Sequence, residues 1–261
     1  MEHQLLIAST LCYFGAFLRT LLHLRERVFH RSRIHFALIS LGFLLQTAFL
    51  FARGHAIGRC PITNLFEVLI FLAWSIALIY LVVGPAYRLS LMGAFTAPLV
   101  FLLEGVALIS RLDVPPPGRL PPNTWLELHA SVSIIAYGAF ALAGVAGVMY
   151  LVQERQLKTH VLQSIFYQLP PLPSLFAAMS RLLSLGFVLY TAGMVSGFFT
   201  GEPLPALKIT LALAVWLLYG AILVSRYFRF VTPRRIAALS VLAFAGALSL
   251  LWSIEFVSHR A

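Results

Sequence analysis

Residues 130–152 read ASVSIIAYGAFALAGVAGVMYLV, 23 positions without a charged side chain. A stretch of that length is what a helix needs to cross ~30 Å of hydrocarbon, for which about 20 apolar residues suffice. Seven further segments share the pattern, so eight spans are expected, near Leu5–Leu24, Ile34–Ala52, Leu65–Val83, Leu89–Ile109, Leu126–Val152, Leu182–Phe199, Leu207–Val224 and Ile236–Val257. All are expected to be helices, because an open sheet would leave backbone groups unpaired in lipid. The expected fold is therefore all-α: a polytopic membrane protein with an eight-helix transmembrane bundle forming a single domain over 1–261.

Composition agrees. The chain is 60% hydrophobic and 11% charged, where a soluble domain carries about 25% charged residues. The formal charge of +10 does not point to nucleic acid, because the cations follow the loops. Twelve of them lie in one alternate set: Arg25, Arg27, Arg31, Arg33, Arg88, Arg155, Lys158, Arg181, Arg226, Arg229, Arg234 and Arg235. Six lie in the other: Arg53, Arg59, Arg111, Arg119, Lys208 and Arg260. Cytoplasmic loops are enriched in Lys and Arg, which puts both termini on the non-cytoplasmic side. Met1-Glu2-His3 offers no basic region before the first apolar run, so that run reads as a span and not as a cleaved signal peptide. Cys12 and Cys60 form no CxxC, which removes support for thiol redox or zinc-cluster chemistry.

The stretch near 160–181 contains Pro170, Pro171 and Pro173 and reads as a cytoplasmic interfacial segment, with Ser174 positioned to cap a following helix. Gly193 and Gly197 make a GxxxG, and Gly138, Ala141, Gly144 and Gly147 a second small-residue pattern; both read as close helix contacts.

With this orientation the outward end collects polar groups. His129 heads span five and His259 ends span eight, with Glu255 four residues before His259 and Trp252 seven before it. Asn64 and Glu67 at the start of span three are spaced as a capping box. Glu104 lies among apolar neighbours in span four, where an ionisable group is functional or else paired, here with Arg111 or Arg53. His23, His30, His35 and His160 fall on the basic side and read as interfacial, although His35 could pair with His23 around a metal. Imidazole is a common ligand for haem iron and other metals. No HExxH, paired-Asp or Ser/His/Asp array is present, so hydrolase chemistry is unsupported.

The segment from Gly58 to Trp74, GRCPITNLFEVLIFLAW, resembles the signature of the cytochrome c assembly protein family, approximately G-x-x-P-x-[ST]-N-[LF]-[YF]-E-x-x-x-F-x-x-W. The stretches from Leu128 to Tyr137 and from Met149 to Lys158 are similar to the same family, closest to its small HemX- and YpjD-like branch. The resemblance implies haem handling at the outer face of the bacterial inner membrane for attachment to apocytochrome c. Two outward histidines are the axial ligands in that scheme, and by position His129 and His259 match them. A b-type, non-covalent haem would then be flanked by Trp252, Trp125 and Phe256. Arg53, Arg59 or Arg111 would meet its propionates, and Glu255 would orient its histidine neighbour. Implied partners are membrane lipid, haem, apocytochrome c and another cytochrome c biogenesis membrane protein. The chain would position haem and would not be an enzyme in the strict sense.

One departure stands out. Haem-presenting members carry a WGxxWxWD segment, whereas residues 198–206 read FFTGEPLPA, without tryptophan or aspartate. The family's histidine in the following helix is also missing from Trp216–Val224. The expected role narrows to haem binding, with a non-haem accessory or regulatory subunit as the alternative. A small-solute or ion transporter using Glu104 and Gln46 is a third, less favoured reading.

Overall fold

The computed structural model describes residues 2–26, 33–86, 92–110, 112–113, 123–159, 170–201 and 206–258, with the side chains of 23–26, 33, 85–86, 159 and 250–258 excepted. Eight helices follow one another: α1 (Glu2–Glu26), α2 (Arg33–Ile57), α3 (Leu65–Ala86), α4 (Met92–Ile109), α5 (Thr124–Thr159), α6 (Leu172–Gly197), α7 (Ala206–Tyr227) and α8 (Pro233–Ser258). Seven of them are long and apolar enough to cross a membrane, counted over the described residues. Large apolar side chains also cover their outer faces. Leu11, Leu18 and Leu22 of α1 and Leu213, Leu217 and Val224 of α7 are all exposed. Such faces suit lipid, where apolar side chains cost nothing to expose. The protein is a multi-pass, all-helical membrane protein.

Local chemistry sets the helix ends. Asn64 accepts the Glu67 backbone N–H through its side-chain oxygen at 2.9 Å, which caps α3 as expected. The reciprocal half of the box is displaced by one residue: Glu67 accepts the backbone N–H and the hydroxyl of Thr63, both at 2.7 Å. Gly58, at φ 70°, ends α2 in the left-handed region that glycine tolerates. Asn123 caps α5, accepting the Leu126 N–H at 3.2 Å.

Three expected boundaries shift. α2 continues past Ala52 and takes Arg53 into the helix. α5 has 36 residues, about 54 Å at 1.5 Å per residue, longer than the hydrocarbon layer. α6 begins at Leu172, so Ser174 lies inside its first turn and is not the cap; Pro173 is tolerated there because first-turn N–H groups have no helical partner. Residues 172–181 are thus the start of one continuous helix with span six. The remainder of the interfacial segment, 160–169, lies outside the described residues.

Contacts divide the chain into two compact units. The first comprises Met1–Pro122 and Gln153–Pro171, the second Asn123–Val152 and Leu172–Ala261. In the first, α1 to α4 bury Tyr13, Phe49, Phe66, Ile70 and Met92. In the second, Phe140 of α5 stacks on Tyr219 of α7 at 3.6 Å between ring centroids, and Met179, Leu183 and Ala237 complete the interior.

Candidate functional site

The described part of the candidate site lies in the second unit, where α5 and α6 come close. Gly186, Gly193 and Gly197 of α6 face Phe140, Ser133 and His129 of α5. A Cβ added at Gly193 would stand 2.4 Å from the Ser133 hydroxyl, and one at Gly197 would stand 2.9 Å from His129 Nδ1. The GxxxG is therefore a close helix contact, as expected, and it also forms the seat of His129.

His129 Nδ1 lies 2.6 Å from the carbonyl oxygen of Gly193. A carbonyl oxygen only accepts, so Nδ1 carries the proton. In a neutral ring this leaves the lone pair on Nε2, the form in which imidazole binds a metal. Backbone carbonyls are common second partners of metal-ligating histidines.

A groove of about 640 Å³ opens along the same stretch of α5 and α6, lined by Trp125, Leu128, Val188, Val195, Ser196 and Phe199 among others. Trp125 and Phe199 form its aromatic end, 5.1 Å apart between centroids. Both are more than 45% exposed, at 48% and 59%, so the surface is open. Asn123 fixes this corner. Besides capping α5, it donates its side-chain amide to the Thr200 carbonyl at 2.9 Å, which ties the start of α5 to the turn after α6. The volume falls within the usual range for small-molecule pockets, about 300–1,000 Å³.

The family-signature stretch lies in the first unit, around Arg53. Its Nε donates to Glu67 at 2.9 Å, and its second guanidinium nitrogen donates to Asp113. Glu2 is 3.8 Å from the same guanidinium. Glu67 is 1% exposed, and burying a carboxylate without a counter-charge is costly. Arg53 supplies that counter-charge. Asn64 adds a bond to Asp113 at 3.3 Å. The conspicuous polar residues Asn64 and Glu67 thus hold the chain between α2 and α3.

Arg53 does not pair with Glu104, contrary to one sequence expectation. Glu104 is bonded by Ser9 and Thr10 of α1. His35 is buried, 5% exposed, and lies 3.2 Å from the Thr20 hydroxyl.

The other expected site residues divide as follows. Arg59 lies in the loop after α2, where its backbone N–H bonds the Gly54 carbonyl at 3.2 Å. Trp252, Glu255 and Phe256 lie on α8, with side chains outside those described. His259 and Arg111 are outside the described residues. Trp125 and His129, four residues apart at the start of α5, are the expected site residues of the second unit whose side chains are described. Asn123, Gly193, Gly197, Phe199 and Asp113 were not singled out as site residues from sequence. The one available signal was the four-residue spacing of Gly193 and Gly197 on α6. No group of three or more His, Cys, Asp or Glu side chains suited to a metal occurs among the described residues.

Comparison with known proteins gives a consistent result. The family model described as "Cytochrome C assembly protein" matches residues 62–258. Protein HemX of Brevibacillus brevis is 28% identical, covering 75% of this chain and 70% of its own length. Cytochrome c biogenesis protein CcsA of Parasynechococcus marenigrum (strain WH8102) is 29% identical over 87% of each chain. The CcsA of Synechococcus sp. (strain CC9605) is 29% identical, covering 78% of this chain and 77% of its own.

Proposed function

Because the chain belongs to the cytochrome c assembly protein family, we propose that it handles haem for c-type cytochrome biogenesis in a bacterial inner membrane. In this reading eight spans, with both termini on the non-cytoplasmic side, would put His129 and His259 at the outer face. His129 and His259 would hold a non-covalent, b-type haem, whose iron would supply redox chemistry when bound. Arg53 is already held by Glu67 and Asp113. Trp252 and Glu255 of α8 would flank and orient the His259 side.

The observation that carries this reading is the 2.6 Å contact from His129 Nδ1 to the Gly193 carbonyl. It leaves Nε2 as the ring nitrogen that would coordinate and fixes the ring plane, which suits a metal ligand. The apolar groove gives the reading a second support. Trp125 and Phe199 provide an aromatic surface in a chain whose loop 198–206 lacks the tryptophans of haem-presenting relatives. Membrane lipid surrounds the helices, and apocytochrome c or another biogenesis membrane protein is the expected partner.

The test is the visible spectrum of the purified full chain after haem supply. A Soret band is expected, lost or shifted on replacing both His129 and His259 with Ala. No band in the wild type, or a band indifferent to both replacements, overturns the reading. The tryptophan-free loop favours a second reading, a non-haem accessory subunit. That reading expects a stoichiometric membrane partner to co-purify with haem-free protein.

A further inference from the structure

Glu104 stands in the middle of the first unit's packing and has no place in haem handling. It is fully buried on α4. Ser9 Oγ is 3.0 Å from its Oε1 and Thr10 Oγ1 is 2.8 Å from its Oε2. Each hydroxyl has a second neighbour. Ser9 Oγ is 3.0 Å from the Gly42 carbonyl of α2, and Thr10 Oγ1 is 2.9 Å from the Leu6 carbonyl of α1. Two hydroxyl hydrogens therefore face four acceptor oxygens.

A carboxylate here would take both hydroxyl hydrogens and remain a buried charge without a cation. Such a charge costs several kcal/mol in an apolar interior. Arg53 is bound to Glu67 and Asp113. Arg19 stands nine residues beyond Thr10 on α1, about 14 Å along the axis. No cation acts on Glu104 among the described residues. A carboxylic acid eases the conflict: it supplies a third hydrogen to one hydroxyl, which then donates to its backbone carbonyl. The other hydroxyl still donates to the remaining carboxyl oxygen.

We infer that Glu104 is held as a neutral acid, so that the first unit contains a proton-binding site between α1 and α4. Its surroundings contain other polar groups that do not supply a compensating charge. On α1, Cys12 and Tyr13 lie near Glu104, and Tyr13 donates to Gln46 of α2 at 3.2 Å. On α2, His35 is bonded to Thr20. On α3, Glu67 is held by Arg53 and Tyr80 lies against Gly93. The site is independent of the haem reading, because it uses none of the proposed haem residues.

Infrared spectroscopy of the full chain in lipid nanodiscs at pH 7 tests the inference. The wild type should show the carbonyl stretch of a protonated acid, moved to lower frequency in D2O. Glu104→Gln should remove that band and keep the melting temperature, because an amide can both donate and accept in the same places. Ser9→Ala and Thr10→Ala should shift the band, since Glu104 loses a partner in each. A wild type with no protonated-acid band overturns the inference, and this needs no variant to fold. Loss of a carboxylate band in Glu104→Gln, with the acid band intact, overturns it too.

Discussion

His129 of α5 donates its Nδ1 proton to the Gly193 carbonyl of α6 across 2.6 Å. Gly193 and Gly197, one helical turn apart, leave the room that the ring and Ser133 occupy. A helix contact and a side-chain orientation thus share one cause, the missing Cβ atoms of α6.

That contact can be tested by filling it. Gly193→Ala places a methyl group 2.4 Å from the Ser133 hydroxyl. Overpacking of this kind costs about 1–3 kcal/mol, so a lowered melting temperature in detergent is expected. Gly105→Ala is the control. Nothing lies within 4 Å of its added Cβ, and Ala favours a helix over Gly by about 1 kcal/mol, so stability should hold or rise.

The two roles of His129 separate by substitution. Asn places an amide N–H where Nδ1 stands and so keeps the bond to Gly193, but it has no second ring nitrogen. His129→Asn should melt close to wild type and lose the haem spectrum expected of the wild type. His129→Ala should lose about 1 kcal/mol of stability as well. Equal melting of the Asn and Ala variants would show that the bond to Gly193 contributes nothing.

Removing Arg53 should expose the cost of its buried partner. Arg53→Met leaves Glu67 buried without its counter-charge, a change that typically costs about 3–5 kcal/mol. Arg53→Met combined with Glu67→Gln should recover most of that loss, because the isolated charge is gone. A double-mutant cycle from chemical denaturation measures the coupling, and additive effects would mean that the pair does not interact.

Asn123 divides in the same manner. Asn123→Ala removes the cap of α5, worth about 1 kcal/mol, together with the tie to Thr200. Asn123→Asp keeps an oxygen for the Leu126 N–H but cannot donate to Thr200. Helix stability should survive in Asp. Proteolysis near residues 198–201 should accelerate in both variants.

Tyr219 carries a buried hydroxyl without a hydrogen-bond partner among the described residues while its ring stacks on Phe140. Tyr219→Phe keeps the stack and removes the unsatisfied group, which costs about 1–3 kcal/mol when left unmade. Its melting temperature should equal or exceed that of wild type. A clear drop would indicate that the hydroxyl has a partner, such as water.

The helical fold was legible because a run such as 130–152 has one economical solution in lipid, a helix that bonds its own backbone. The cap at Asn64 was legible because capping is a contact between residues three apart. The pairing of Arg53 with Glu67 and Asp113 was not. The loop between Ala52 and Leu65 had been read apart from α2, and Asp113 joins from 60 residues away. The contact of His35 with Thr20 was not legible for a similar reason: it depends on how α1 and α2 pack.

Sequence alone determined that the chain crosses a membrane as helices. That follows from hydrophobicity along the chain, which is local. Tertiary structure decided which polar groups meet: His129 with Gly193, Arg53 with Glu67, Glu104 with Ser9 and Thr10. Each meeting depends on the rotation and approach of two helices about their axes. Those are set by where glycines and small side chains let backbones close in, and a single chain's periodicity does not specify them.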